Sequence, residues 1–357
     1  MKHAILFIIS LFIVGCGGGS EGNTGNDNGA TDIKVLEPYF YQQWYLDVDE
    51  DFYAQNGING EAHIHPHDVL TKLSGYGVKI AVIDDGLDVT HEDLQGAITN
   101  TYDVASKTSN VEHTTSQGSH GTAVTGIIGA RVNSKGIAGI ANQSQIIFLK
   151  YREGMSDSET IELFSKAEEF GAEIINCSWG TYDVSDAVKE KIVDLANNGR
   201  DSKGTIIVFA NGNDDSPMGN DESAIPEVIS VGASDEENLR AWYSNYGNNL
   251  DVVAPGGYYL GITTLDAMRY KGNASMDENY LLYDDSNAFI GTSASAPIVS
   301  GVIALMLEKD PTLTRVKIEN ILKESSDKIG NVPYVNGKND YYGYGKVNLE
   351  NIINHSL

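Results

Sequence analysis

Basic residues are scarce in this 357-residue chain: 24 Lys and Arg stand against 50 Asp and Glu, a formal net charge of −26. That balance excludes the positive footprint that nucleic-acid binding requires, and it excludes adhesion to anionic lipid by charge alone. Cysteine is scarcer still, with two in the chain. If Cys16 is consumed by lipidation, Cys177 has no partner, so no intrachain disulfide is expected and Cys177 reads as a small buried hydrophobe. No Pro-rich or charged linker interrupts the chain after residue 32. One domain over residues 33–357 is therefore expected. The N-terminal apolar run from Ala4 to Val14 is too short for a comfortable membrane span.

That run has another reading. Lys2 and His3 precede it and Gly15-Cys16 follows, so residues 1–15 resemble a bacterial lipoprotein-type signal peptide, with lipid attachment to the Cys16 thiol after cleavage. Residues 16–32, rich in Gly, Ser and Asn, read as a flexible tether. The expected location is the bacterial cell envelope, with the membrane as partner through Cys16. An ordinary secretory peptide and a released protein are the alternative.

Apolar segments at 78–83, 146–150, 173–178, 205–210, 228–231 and 250–254 alternate with helical stretches at 158–170 and 185–198. The alternation predicts an α/β fold: a doubly wound, mainly parallel sheet with helices on both faces.

Three polar positions interrupt this apolar pattern in a way that points to chemistry. Ile80-Ala81-Val82-Ile83 runs into Asp84-Asp85-Gly86, which puts a carboxylate at the carboxyl end of a strand, where ligands bind in open α/β sheets. His120-Gly121-Thr122 opens a small, apolar helical run. Gly291-Thr292-Ser293-Ala294-Ser295-Ala296-Pro297 places Ser293 at the head of a buried helix whose amides favour a developing oxyanion. A serine nucleophile, a histidine that takes its proton and an aspartate that fixes the imidazole tautomer form a catalytic triad. The order Asp, His, Ser is the subtilisin order. A serine esterase would instead show a Gly-x-Ser-x-Gly elbow and the order Ser, acid, His.

From about Glu37 to Gly343-Tyr344-Gly345-Lys346-Val347-Asn348 the chain resembles the subtilisin superfamily of serine proteases, and within it the kexin and furin branch. The resemblance rests on Gln42-Gln43-Trp44-Tyr45-Leu46, Val82 to Asp88, Cys177-Ser178-Trp179-Gly180, Gly199-Arg200-Asp201-Ser202-Lys203-Gly204 and Val208 to Asn213. It implies a serine endopeptidase working through an acyl-enzyme on protein or peptide substrates. Asp84, His120 and Ser293 would be the triad, and Asn213 the oxyanion donor. Ser178, Trp179 and Gly180 would pair with substrate backbone.

The resemblance also implies a structural Ca2+ held by the side chains of Glu37, Asp93 and Asn133 and the carbonyls of Arg131, Lys135 and Ile137. Within the branch, acids read basic side chains, which maps to Asp85, Asp183, Glu162 and Asp221 and predicts a preference for Arg or Lys before the scissile bond. For Glu162 a solvated helix face, and for Asp221 a plain loop acid, are the competing readings. Asn245 stands where the branch has a glutamate near a second calcium. The short segment before the catalytic region predicts folding with an external chaperone, with calcium alone, or slowly. Broad subtilisin-like specificity is one alternative to the basic preference. A lipid-anchored binding module on an inactive protease scaffold is the other, and it would require loss of a catalytic residue.

Overall fold

The computed structural model describes residues 36–46, 49–66, 68–113, 119–267 and 279–355. The expected signal peptide, the tether and Cys16 lie outside the described residues. Seven strands build one sheet: β1 (Lys79–Asp84), β2 (Ile98–Asp103), β3 (Gln145–Lys150), β4 (Ile174–Cys177), β5 (Ile206–Ala210), β6 (Ile229–Ser234) and β7 (Val252–Pro255). Their order is β2-β3-β1-β4-β5-β6-β7 and every pairing is parallel. The winding direction reverses beside β1. The crevice at the carboxyl ends of β1 and β4 is thus the switch point at which such sheets bind ligands.

Side-chain parity decides what faces that crevice. Ile80, Val82, Phe148 and Val208 point to one side, where they pack with α2 (His120–Gly129), which follows α1 (Glu50–Asn56), and with α5 (Thr292–Lys309). Ala81, Ile83, Leu149, Cys177 and Phe209 point to that opposite face, against Leu163 and Phe164 of α3 (Asp157–Glu169) and Ile192 and Leu195 of α4 (Asp186–Ser202). Asp84 has the parity of Ile80 and Val82, so its carboxylate emerges on the α2 and α5 side. α5 is buried almost all round, from Thr292 to Leu307 apart from Ser293, as its uniformly apolar sequence requires. α6 (Arg315–Ser325) and α7 (Leu349–His355) close the chain.

The helical stretch expected to stop at residue 198 does so in conformation. Gly199, Arg200 and Asp201 leave helical geometry, and Arg200, Asp201 and Ser202 all lie at positive φ. β2 escaped the sequence reading because its Ile-Thr-Asn-Thr-Tyr-Asp has no apolar run; it is a half-exposed edge strand with a register shift between Ile98 and Asn100. Also unforeseen is a short antiparallel hairpin of β8 (Thr264–Leu265) with β9 (Tyr280–Leu281). It docks on α2: the Thr264 hydroxyl donates to the Ala123 carbonyl at 2.6 Å.

Candidate active site

β1 delivers Asp84 fully buried at its carboxyl end, and α2 delivers His120 as its first residue. The two meet: His120 Nδ1 lies 2.8 Å from Asp84 Oδ1. This close approach of helix and strand depends on Gly121, since a Cβ there would sit 2.3 Å from the Gly86 carbonyl and 3.0 Å from the Asp84 Cβ. Asp84 Oδ1 also accepts the Asp85 amide at 2.8 Å, while the buried Oδ2 has no hydrogen-bond partner among the described residues. Burial pulls the His120 pKa down, but the Asp84 charge, its hydrogen bond and the Asp85 charge outweigh that and hold it above the ordinary imidazole value. An imidazolium at this position is therefore favoured by its surroundings.

Ser293 is the second residue of α5. Its hydroxyl donates to the Ser178 carbonyl at 3.0 Å, and the Ser178 hydroxyl donates back to the Ser293 carbonyl at 2.9 Å. Behind Ser178 runs a buried chain that sequence reasoning missed: Ser300 donates to Asn176 Oδ1 (2.8 Å), and Asn176 Nδ2 donates to the Ser178 hydroxyl (3.0 Å). A polar residue inside an otherwise apolar strand was its only sequence signal. Asn213 packs beside the head of α5, its Oδ1 accepting the Thr292 amide at 2.9 Å and the Thr292 hydroxyl at 3.0 Å. With Oδ1 so engaged, Nδ2 remains as the donor.

A cavity of about 470 Å³ opens from Ser293 and Asn213 along Ser178, Trp179 and Gly180. Asp214 and Asp221 line it; Asp183 does not. Asp183 lines a second cavity of about 230 Å³ on the other side of Gly180, and its carboxylate accepts from Asn220 at 2.6 Å. Asp221 spends Oδ1 on the Ser223 amide, capping a short 3-10 turn. Glu162 lines neither of these two cavities. It faces away from Asp157 and Thr160, the α3 residues that line the second cavity, and pairs with Lys107 (2.5 Å) and the Tyr102 hydroxyl. Five residues separate Glu162 from Asp157, which turns it to the other face of the helix.

Glu222, which sequence reasoning did not single out, is buried under the substrate-side segment. Its two oxygens take the Thr181 amide (2.8 Å) and hydroxyl (3.0 Å). Asp85 follows Asp84 directly, accepting the Gly121 amide at 2.9 Å, and burial, then the Asp84 charge, push its carboxyl up to about 6. Asn245 holds the cavity wall, its Oδ1 accepting the amides of Asp214 (2.9 Å) and Ser216 (3.2 Å).

On the flank, the end of α2 runs into the loop Arg131 to Gly139. Fully buried Asp93 takes Asn133 Nδ2 and the Ile137 amide, both at 3.2 Å, and burial raises its carboxyl to about 7. Glu37 takes the amides of Asn133 (2.6 Å), Ser134 (2.8 Å) and Lys135 (3.0 Å) and is raised chiefly by burial. The three side chains expected to share a cation thus share one loop. Two desolvated carboxylates, an amide oxygen one flip away and nearby carbonyls form an oxygen-rich donor set that suits a hard divalent cation. Gly136, at φ +54°, leaves room for the Tyr280 ring, which a Cβ would meet at 2.0 Å.

Comparison with known proteins places this geometry. A match to the subtilase family covers residues 75–345. The chain is 32% identical over 350 residues to a calcium-dependent protease of Nostoc sp., covering 89% of this chain and 52% of that protein, so it spans about half the length of that relative. It is 31% identical to subtilisin Savinase of Lederbergia lenta, over 78% of this chain and 91% of that one. Its fold is similar to that of a solved protease of Pseudoalteromonas arctica (TM-score 0.73, 24% identity, 90% of this chain and 99% of that one). With a family match over residues 75–345 and a relative 31% identical covered over 91% of its length, the chain belongs to the subtilase family.

Proposed function

We propose that this chain is a serine endopeptidase that hydrolyses peptide bonds through an acyl-enzyme. The observation that carries the reading is the 2.8 Å Asp84–His120 contact, in a molecule whose Ser293 and Asn213 line one cavity with Ser178 to Gly180. In this mechanism His120 Nε2 takes the Ser293 proton as Oγ attacks the substrate carbonyl. Asp84 fixes the tautomer and stabilises the imidazolium. Asn213 Nδ2 and the Ser293 amide hold the oxyanion, and His120 then gives the proton to the leaving amine. Water repeats the sequence on the ester. The test is active-site labelling: a fluorophosphonate should label the wild type and spare Ser293→Ala, which should also lose peptide hydrolysis. Equal turnover by both would sink the assignment.

Three finer elements belong to the same proposal. Calcium would be held by Asp93, Asn133 and Glu37 with the carbonyls of Arg131, Lys135 and Ile137, and it supplies charge compensation to buried carboxylates. A preference for Arg or Lys before the scissile bond, the kexin-like element, draws its support from Asp214 and Asp221 in the cavity wall, with Asp85 beside the triad for the preceding residue. A cleavage profile dominated by Leu, Phe or Tyr would remove that preference and leave broad specificity. Attachment to the cell envelope through lipid on Cys16 predicts that Cys16→Ser moves the expressed protein out of the membrane fraction. Equal partitioning would favour a released, secreted protein.

A further inference from the structure

Three aromatic rings stand exposed on one surface: Trp242 (57% exposed), Tyr258 (37%) and Tyr259 (73%). The ring centroids of Tyr258 and Tyr259 are 4.0 Å apart, and those of Trp242 and Tyr258 are 6.3 Å apart. Their planes are inclined by 41° and 68°, so they form a splayed cluster and not a flat shelf. Exposing this much aromatic surface is unfavourable unless something uses it.

The cluster is held in place from below. Glu236 is buried, and its two oxygens accept the amides of Tyr258 (3.1 Å) and Tyr259 (3.0 Å). The Tyr243 hydroxyl donates to the carbonyls of Gly256 (3.0 Å) and Gly257 (2.7 Å). The turn is also tied to the nucleophile segment: the Gly291 amide donates to the Gly256 carbonyl at 3.0 Å, two residues before Ser293, and the Ile262 amide to the Phe289 carbonyl at 2.8 Å. Both cavities lie along Trp179 to Thr181, and neither is lined by any residue from 256 to 260. The cluster therefore adjoins the Ser293 segment through Gly256 and lies outside both cavities, which in the peptidase reading take the acyl part of a substrate.

We propose that Trp242, Tyr258 and Tyr259 form a subsite for a lysine or arginine side chain of the polypeptide beyond the scissile bond, on the leaving-group side. The inference rests on the peptidase reading of the same cleft. Charge selects the occupant. Glu236 and Glu237 both act electrostatically on Tyr259, and Glu237 is exposed beside the rings. Aromatic faces next to a carboxylate attract a cation on a flexible stem, whereas sugars and bases stack better on coplanar rings. The chain supplies no cation itself. Among the described residues no Lys or Arg lies over these three rings. Arg240, two residues before Trp242, is committed to Asp215 (2.8 Å) and to the rings of Tyr246 and Tyr341.

The test separates binding from turnover. Ser293→Ala is titrated with Ala-Arg-Arg-amide, Ala-Gln-Gln-amide and Ala-Phe-Phe-amide, following tryptophan fluorescence. The Arg probe should bind about fivefold or more tighter than the Gln probe. Adding Tyr258→Ala and Tyr259→Ala should bring it to the Gln level with the melting temperature preserved. Glu237→Gln, which keeps the rings, should weaken the Arg probe and leave the Phe probe unchanged. In the wild type, internally quenched peptides with Arg after the scissile bond should show the same ranking in kcat/KM. Absence of any turnover there would defeat the peptidase reading while the titration still decides the subsite. Tighter binding of the Phe probe, or no Arg preference in Ser293→Ala, overturns it.

Discussion

The side-chain oxygen of Asn213 accepts both the amide and the hydroxyl of Thr292, at 2.9 and 3.0 Å. The residue next to Ser293 thus dictates which end of the Asn213 amide faces the cleft. Asn213→Ala should lower kcat by about 10² to 10³ with little change in KM, the range known from subtilisin itself when one oxyanion donor is removed. Thr292→Val, which keeps the amide contact and loses the hydroxyl, should cost less than about tenfold. Single-turnover acylation rates check both. A loss at Asn213 below threefold would remove it from the oxyanion role.

The acid limb of activity should start above the ordinary imidazole range, because His120 must be neutral to accept the serine proton and its pKa is raised. Activity is present above that value and lost as pH falls through it. The Asp85 charge contributes to the rise, after Asp84. Asp85→Asn should therefore move the acid limb of kcat/KM to lower pH without abolishing activity. A limb that stays put or moves up would show that Asp85 does not act on His120.

Much of this was legible in the sequence, for identifiable reasons. The apolar runs of β1, β3, β4 and β5 are buried on both faces and so read as continuous hydrophobic segments. Asp84, His120 and Ser293 each interrupt an apolar pattern at the end of an element, where a polar residue stands out. β2 has a mixed polar sequence because one face of an edge strand meets solvent. The pocket acids were harder. Asp183 and Asp221 lie close to the cleft in sequence terms, but which cavity each one lines depends on how the 179–184 and 214–223 loops pack together. Glu222 looks like any surface acid until Thr181 is seen to occupy both its oxygens.

Chelation should lower the melting temperature, since a ligand that binds only the native state stabilises it by mass action. Asp93 and Glu37, from separate segments, are buried against one loop and raised chiefly by desolvation, so without the proposed calcium their charge is poorly compensated. Asp93→Asn should abolish the calcium-dependent part of the melting temperature. Calcium titration by calorimetry should show the matching loss of heat. An unchanged melting temperature in excess chelator would remove the cation from the proposal.

A last consequence concerns Lys346, which is fully buried. Its ammonium donates to the Glu61 carbonyl and, at 2.8 Å, to Asn238 Oδ1, and its backbone pairs with Asp327. One side chain thus ties an early segment to the end of the chain. Burial holds its pKa down at about 8, against an ordinary value near 10.4. Between those values the unfolded chain binds a proton that the folded chain has released. This group therefore adds stability as pH rises through that window and withdraws it as pH falls. Lys346→Met fills the volume but leaves the Glu61 carbonyl and Asn238 without their donor, at a cost of about 1–3 kcal/mol. The deficit of the variant relative to wild type should widen from pH 8 to pH 10 in denaturant unfolding. A deficit that shrinks over that interval would mean that Lys346 is charged in the folded state well above pH 8.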